Sequence, residues 1–431
     1  MGYLYLSPLG RLLLCITIPL ILVSGFVCFN GGTNSSIWVF NSSNYHTKTL
    51  STKDEVLRSE FEGVEEEASV LAEDSVFEDK TLNETHGPLT IKVKIEKVAT
   101  DLEKLEIGLQ KARAAIKEAK HTNLTYYDPD FKPVGPIYWN SNAFQRSYLE
   151  MEKQFKVYVY EEGESPLFHN GPCKSIYSSE GNFIHLMEIN HQFRTKNPNK
   201  AHVFFLPFSG PIASFSVPNL KENSIRVLCN ANTSEGFQPR KDVSLPEINL
   251  QTGAIDGFVG GPSPSHRSIL AFFAGGNHGP IRPFLLEHWG NKTDQDMRIH
   301  TYLPKNVSYY DMLRNSKFCI CPSGYEVASP RVVEAIYTGC VPVLISDNYV
   351  PPFNDVLNWK AFSVEVSVKD IPKLKTILLS ISTRRYLNMY RILLQVRRHF
   401  EVHHPPKRYD FFHMILHSVW LRRLNLHVHD P

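Results

Sequence analysis

A dense polar set, Ser323, Tyr325, Glu326, Ser329, Arg331 and Glu334, lies between two apolar runs. Glu326 and Glu334 are eight residues apart, about two helical turns, a spacing that lets both carboxylates face one ligand from the same side. Arg331 stands one turn before Glu334. A guanidinium there can meet a phosphate while the carboxylate takes a pair of ribose hydroxyls.

A second candidate is the loop Gly275-Gly276-Asn277-His278-Gly279, which leads through Pro280 and Ile281 to Arg282 in the first turn of an expected helix. Such a loop offers backbone N–H groups and a favourable helix dipole to a pyrophosphate. Arg282, and Arg267 just before the preceding strand, add positive charge. Two acidic pairs, Asp294-Gln-Asp296 and Asp128-Pro-Asp130, have a spacing that can hold a divalent cation, but neither follows a buried strand. His185, Glu188 and His191 lack the spacing of a helical zinc pair, so surface or capping roles are expected. The charge of a phosphate is then met by arginines and helix N-termini, and the expected site needs no metal and no cofactor.

The elements that must position these groups read as βα units. Lys317 to Cys321 is a short apolar run broken by Pro322-Ser323-Gly324. Ala328 to Tyr337 has helical spacing, Gly339 stops it, and Val341 to Ile345 is a strand of the buried type. Ser268–Ala274, Met297–Tyr302 and Phe362–Val366 supply further strands of a doubly wound sheet, whose ligands bind at strand C-ends. Earlier, Val157–Tyr160 and Val203–Leu206 are short strands, with helical spacing from Gly181 to Arg194 between them. Helices are expected over Leu387–Val402 and Tyr409–Leu424. At 431 residues and 42% hydrophobic, the chain is too long for one ordinary core, so two domains plus extras are expected. A net charge of +2 gives no reason to invoke nucleic acid.

The N-terminal part has a different character. Leu12 to Phe29 is an uncharged apolar run with Arg11 before it and no further charge until Lys48. This reads as a membrane anchor that leaves residues 1–11 in the cytosol and the bulk on the lumenal side; the alternative is a cleaved signal peptide ending near Val23-Ser24-Gly25. Asn-X-Ser/Thr sequons at Asn34, Asn41, Asn83, Asn123, Asn232, Asn291 and Asn306 suit that side. Residues 30–125 read as a stem, with Asn30–Asn44 polar and Asp54–Asp79 strongly acidic. Within the stem, Ile91, Ile95, Val98, Leu102, Leu105, Leu109, Ala112, Ile116 and Ala119 form a heptad seam. Two readings are open: a coiled coil that joins the stems of a homodimer, or an amphipathic helix lying on the following domain.

The stretch Phe318–Ser346 resembles the signature of the exostosin-like glycosyltransferases, family 47, and in particular its large plant subgroup. Lys156–Gly163, Phe168–Lys174, Ala201–Ser209, Ile225–Gly236, Phe272–Pro283 and Val396–Phe400 resemble it too, so that the likeness covers roughly residues 130 to 425. It implies an α/β fold of GT-B type, two Rossmann-like domains with a facing cleft, preceded here by the anchor (12–29) and the helical stem (heptad 91–119). The domains would be an acceptor-side one at 140–262 and a nucleotide-sugar-binding one at 263–385, with C-terminal helices at 386–431. It also implies inverting sugar transfer in the Golgi lumen from a nucleotide diphosphate sugar to a cell-wall polysaccharide or glycoprotein glycan. The donor site would be Gly275, Gly276, Arg282, Ser323, Gly324, Tyr325, Glu326, Arg331 and Glu334.

One departure bears on mechanism. In the subgroup, the strand matching Phe204–Ser209 leads into a further helix and strand and a Cys-His-Asp-Trp-Gly-Pro segment. Here Ser209 is followed at once by Gly210-Pro211-Ile212-Ala213. The cysteines beyond the apolar run, Cys173, Cys229, Cys319, Cys321 and Cys340, are odd in number, as if one partner were missing. Cys319 and Cys321 share a strand face and are not expected to bond each other. A general base for the acceptor hydroxyl must come from what remains: Glu161, Glu162, His169, His185 or Glu247, none singled out by its surroundings. The expectation is a kept donor site with a damaged acceptor half and impaired activity. The alternative functions are a non-catalytic lumenal subunit or inactive splice form, and a glycoside hydrolase using Glu326 and Glu334.

Overall fold

The computed structural model of the chain describes residues 36–41 (by backbone), 100–122, 128–133, 135–161, 173–176, 178–207, 224–290 and 294–425. The apolar run Leu12–Phe29, the acidic stretch, the first part of the heptad seam, the Ser209–Gly210 junction, Glu162, His169 and the sequons at Asn34, Asn83, Asn123 and Asn291 lie outside the described residues.

Long apolar runs make the second half of the chain a parallel sheet. β7 (Ile269–Ala274), β8 (Met297–His300), β9 (Ser316–Pro322), β10 (Val341–Ile345) and β11 (Val364–Glu365) pair in the order β11-β10-β9-β7-β8, every pair parallel. β10 is buried at every residue and β9 at all but one, as a sheet covered on both faces requires. Helices α4 (Ile281–Trp289), α5 (Tyr309–Asn315) and α6 (Arg331–Thr338) connect these strands. Numbered within this sheet the order is 2-1-3-4-5, so the topological switch point falls between β7 and β9. Gly339, at φ 71°, ends α6 in the left-handed conformation that glycine adopts freely. A disulfide joins Cys319 on β9 to Cys340, immediately before β10.

The first half builds a six-stranded sheet from β1 (Ser36–Asn41), β2 (Val157–Val159), β3 (Arg194–Thr195), β4 (Val203–Leu206), β5 (Ser224–Leu228) and β6 (Val243–Ser244), in the order β3-β2-β4-β1-β5-β6. β2 runs parallel to β3 and β4, and β5 to β6. β1 is the exception: it lies between β4 and β5, antiparallel to both. The stem reading therefore fails for Ser36–Asn41, because its backbone finds partners in the sheet, with Trp38 opposite both Leu206 and Arg226.

The heptad seam is covered by the chain itself. Helix α1 (Asp101–His121) buries Leu109, Ala112, Ile116 and Ala119 and packs on α2 (Ser141–Gln154). Arg113 Nε donates to Leu424 O at 2.8 Å and Arg423 pairs with Glu106 at 2.7 Å. Over these residues the amphipathic-helix reading stands and the coiled-coil reading does not. Asn140 caps α2 by accepting from Ala143 N at 2.9 Å.

After α7 (Leu374–Leu379) and α8 (Thr383–Val396), α9 (Phe411–Leu424) returns to the first sheet. All of its residues are buried, as in a helix apolar around its circumference. Arg422 Nε and Arg423 Nε donate to Asp242 O and His202 O, each at 3.0 Å. One apolar core thus runs from α1 and α2 through the first sheet and α9 to Val332, Ile336 and Leu344 of the second half. A second core, with Leu270, Ile281, Ile320, Val343 and Leu374, belongs to the parallel sheet.

Candidate active site

The two glycine loops meet at the switch point. The loop after β7 carries Gly275 to Gly279 and the loop after β9 carries Ser323 to Pro330. Gly279 has φ 67°, and a Cβ there would lie 1.9 Å from Gly324 O, so the two backbones touch where no side chain fits. A Cβ on Gly275 would lie 2.3 Å from Arg331 Nη2, and one on Gly324 would lie 2.9 Å from Arg282 Nη2. The glycines make room for two arginines lying flat against the loops.

The arginines are held differently. Arg331 Nε and Nη2 donate to Ala274 O at 3.2 and 2.9 Å, and the group lies 5.2 Å from the Phe273 ring centroid. Arg282 is 7% exposed, yet its guanidinium makes no hydrogen bond or ion pair among the described residues, and its Nε is buried without a partner. Burial and then the charge of Arg331 lower its pKa to about 10. Glu247 is the opposite charge that acts on Arg282, without a hydrogen bond or ion pair, and an anion entering the cleft would offset the remaining cost of its burial.

The cleft they face has a volume of about 750 Å³, the size of a small-molecule site. Of the expected residues it is lined by Gly275, Gly276, Arg282, Gly324, Tyr325, Glu326, Arg331 and Glu334. Ser323 is not among its lining residues; it is 6% exposed, with its N–H bonded to Ile345 O at 3.1 Å. Arg267 gives no charge to the site either. It is 2% exposed and donates to the carbonyls of Pro262, Ser316 and Thr338, bracing the parallel sheet. Glu326 and Glu334 share the cleft, but not through helical spacing. Pro330 disfavours helical geometry at Ser329, α6 starts at Arg331, and Glu326 sits in the loop.

Glu334 accepts from Tyr309 OH at 2.7 Å and from Asn249 Nδ2 at 3.1 Å, which leaves a lone pair on each oxygen. Burial, then the charge of Glu334, raise the Tyr309 phenol well above its usual range, so it stays a donor. Burial and then Glu235 raise Glu326 to about 7. The opposite wall comes from the first half of the chain: Ile176, Glu247 and Asn249. Leu245, Ile248 and Leu250 are buried, while Glu247 and Asn249, two apart, present one face to the cleft. Asn249, Tyr309, His278 and Tyr302 also line the site and were not selected from sequence. The alternation in Leu245–Leu250 is the one signal that could have found the first of them.

The remaining candidates lie elsewhere. Lys375 pairs with Asp294 at 2.7 Å and Asp296 at 3.1 Å, and Arg408 bonds Asp128 at 2.7 Å and also Asp130 and Glu152. Both acidic pairs are spent on cations of the fold. Exposed His185 and Glu188 belong to α3 (Ser178–Ile189), and His191 follows it. Glu161 is exposed and, like His185, is not a lining residue of the cleft. Asn306 is exposed, whereas Asn232 is 7% exposed, with its amide donating to Glu235 and accepting from Ser234. Asn41 ends β1. Among the described residues no helix is long and apolar enough to cross a membrane.

A cationic cleft at the switch point of a parallel α/β sheet is suited to an anionic ligand. The comparisons fix the class. Residues 209–381 match the exostosin GT47 domain. A probable glycosyltransferase of Arabidopsis thaliana is 50% identical over 495 aligned positions, covering 96% of this chain and 94% of its own length. A second from the same plant is 50% identical over 75% of this chain and 81% of its own length. A probable β-1,4-xylosyltransferase, also of Arabidopsis thaliana, is 28% identical over 62% of this chain and 82% of its own. Among solved structures, the N-terminal domain of the Candida albicans trehalose-6-phosphate phosphatase matches at 12% identity, covering 74% of this chain and 50% of that one, with a TM-score of 0.21, too low to bear on the fold. The chain is a glycosyltransferase and belongs to the exostosin-like family 47. The first alignment is longer than the 431 residues of this chain, so that relative carries residues with no counterpart here.

Proposed function

We propose that this chain is a GT-B-type inverting transferase that moves a sugar from a nucleotide diphosphate sugar to a cell-wall polysaccharide or glycan. The observation that carries this reading is Arg282, buried with its Nε unsatisfied beside Arg331, at the C-ends of β7 and β9. In it, Arg282 and Arg331 take the diphosphate, Glu334 accepts from ribose hydroxyls with its free lone pairs, and Tyr325, 80% exposed, covers the sugar. The charge is met by arginine, without a metal ion. The names of the probable β-1,4-xylosyltransferase above and of a probable glucuronosyltransferase of Oryza sativa, 26% identical over 62% of this chain, support transfer of a pentose or a uronic acid to a glycan. We place the enzyme in the Golgi membrane as a type II protein anchored by Leu12–Phe29. The Cys319–Cys340 disulfide suits the oxidising lumen that this requires.

A second reading rests on β1. We place the residues that the longer relative has and this chain lacks at the Ser209–Gly210 junction, which in sequence lies between β4 and β5, the two strands that the antiparallel β1 separates. Such a chain could bind donor without transferring it. Thermal shift of the full-length chain against a panel of UDP- and GDP-sugars, with Glu334→Ala beside it, tests the donor site. A shift with one nucleotide that disappears in the variant supports the first reading. Binding without turnover supports the second, and no shift with any nucleotide overturns both.

A further inference from the structure

We propose, resting on the transferase reading above, that Glu247 is the general base that deprotonates the acceptor hydroxyl. The wall facing the two arginines contributes Ile176, Glu247 and Asn249, and Glu247 is its one titratable side chain among the described residues. The phosphate-facing groups Arg282 and Arg331, and the other two carboxylates, Glu326 and Glu334, all come from the opposite, parallel-sheet side. In-line displacement at a sugar carbon puts the incoming oxygen opposite the departing phosphate, which places its base on the Glu247 wall.

The occupancy of the carboxylates points the same way. Glu334 is bound by Asn249 and Tyr309. Asn249 therefore fixes the loop that carries Glu247 to the helix that carries Arg331. Glu247 is half-buried at the cleft wall and forms no hydrogen bond or ion pair among the described residues, so its oxygens are free to accept a proton. The groups that face it electrostatically are Glu326, Arg331, Glu334 and Arg282, with Cys229 and Tyr349 behind. Burial, then Glu326, with Glu334 adding and the arginines opposing, push it up to about 8. A base with its pKa near the working pH has both a usable ionised fraction and a strong pull on the proton.

The step balances without a co-reactant. The acceptor oxygen forms its bond to the anomeric carbon as its proton passes to a Glu247 oxygen. The bond from that carbon to the phosphate oxygen breaks with its electron pair, and the leaving nucleotide diphosphate carries the charge to Arg282 and Arg331.

The test compares the full-length wild type with Glu247→Gln, Glu247→Asp and Glu326→Gln. UDP affinity is read by calorimetry, and turnover by release of UDP from UDP-xylose and UDP-glucuronic acid with β-1,4-xylo-oligosaccharide. The proposal expects Glu247→Gln to hold UDP within about threefold, to keep its Tm, and to lose about 100-fold or more in kcat. The wild-type kcat should rise with pH through the titration of Glu247; the Gln variant should lose that rise and the Asp variant recover part of the rate. Loss of turnover in Glu326→Gln with Glu247→Gln active overturns the assignment. So does a wild type that binds UDP yet releases none from either donor. A wild type that binds no UDP overturns the transferase reading itself, and the base with it.

Discussion

Arg282 is the residue on which the donor site turns. Hydrogen bonds to charged groups are worth about 1.5–3 kcal/mol, so Arg282→Ala should weaken UDP binding by about 10- to 100-fold in calorimetry at fixed salt. Tm should hold or rise, because the substitution removes a buried cation that makes no hydrogen bond or ion pair among the described residues and whose Nε is unsatisfied. Gly275→Ala should lower UDP affinity without touching the ligand, since its methyl would meet Arg331 at 2.3 Å. At this scale the sequence revealed the groups that lie close together along one βαβ unit, Gly324, Glu326, Arg331 and Glu334. It was silent on Asn249 and Tyr309, whose place depends on Glu334 reaching across to them. Ser323 was misread because a polar residue in a binding loop can turn inward as easily as out.

The strands and helices were legible to within a few residues wherever apolar runs are bounded by glycine or proline. β4 and β10 fall where the runs predict. β1 was not legible in its role. Ile37-Trp38-Val39-Phe40 has the β-branched and aromatic character of a strand, but its polar neighbours read as stem and its partners are distant in sequence. Val39→Pro should remove a ladder donor from an interior strand and leave a carbonyl unpaired, at a cost of about 1–3 kcal/mol, read as a lower urea midpoint. For α1, Ile116→Ala should cost about 2–5 kcal/mol, because Ile116 is 1% exposed against the chain's own core. Sedimentation should show no change of oligomeric state in that variant; dissociation of a dimer would restore the coiled-coil reading.

At the scale of the whole molecule, three neutral histidines among the described residues are built into the interior. His399 bridges Tyr138 OH and Tyr409 O, each at 2.7 Å. Burial lowers it to about 3, and lowers His202 and His417 to about 4. Between those values and the ordinary 6.5, the unfolded chain binds protons that the native state refuses, so stability falls as pH falls through that window. About 2 kcal/mol per ring between pH 7 and pH 5 is the upper limit set by the linkage, and Tm measured across that range should drop accordingly. Cys340→Ser opens a loop with a sequence separation of 21 and should cost about 3 kcal/mol of stability, read in urea under non-reducing conditions.

β1 can join its sheet only after two strands that lie far behind it in the chain have been made. Ser36–Asn41 leaves the ribosome long before its neighbours at Val203–Leu206 and Ser224–Leu228 exist. Until both have been made, a hydrophobic segment waits unpaired, and the two halves of the sheet have no strand between them. Closing so distant a contact is slow, and the waiting edges are open to wrong partners. The yield of this protein in a cell would therefore depend on how well Ser36–Asn41 is kept apart from other chains until Ser224–Leu228 has been synthesised.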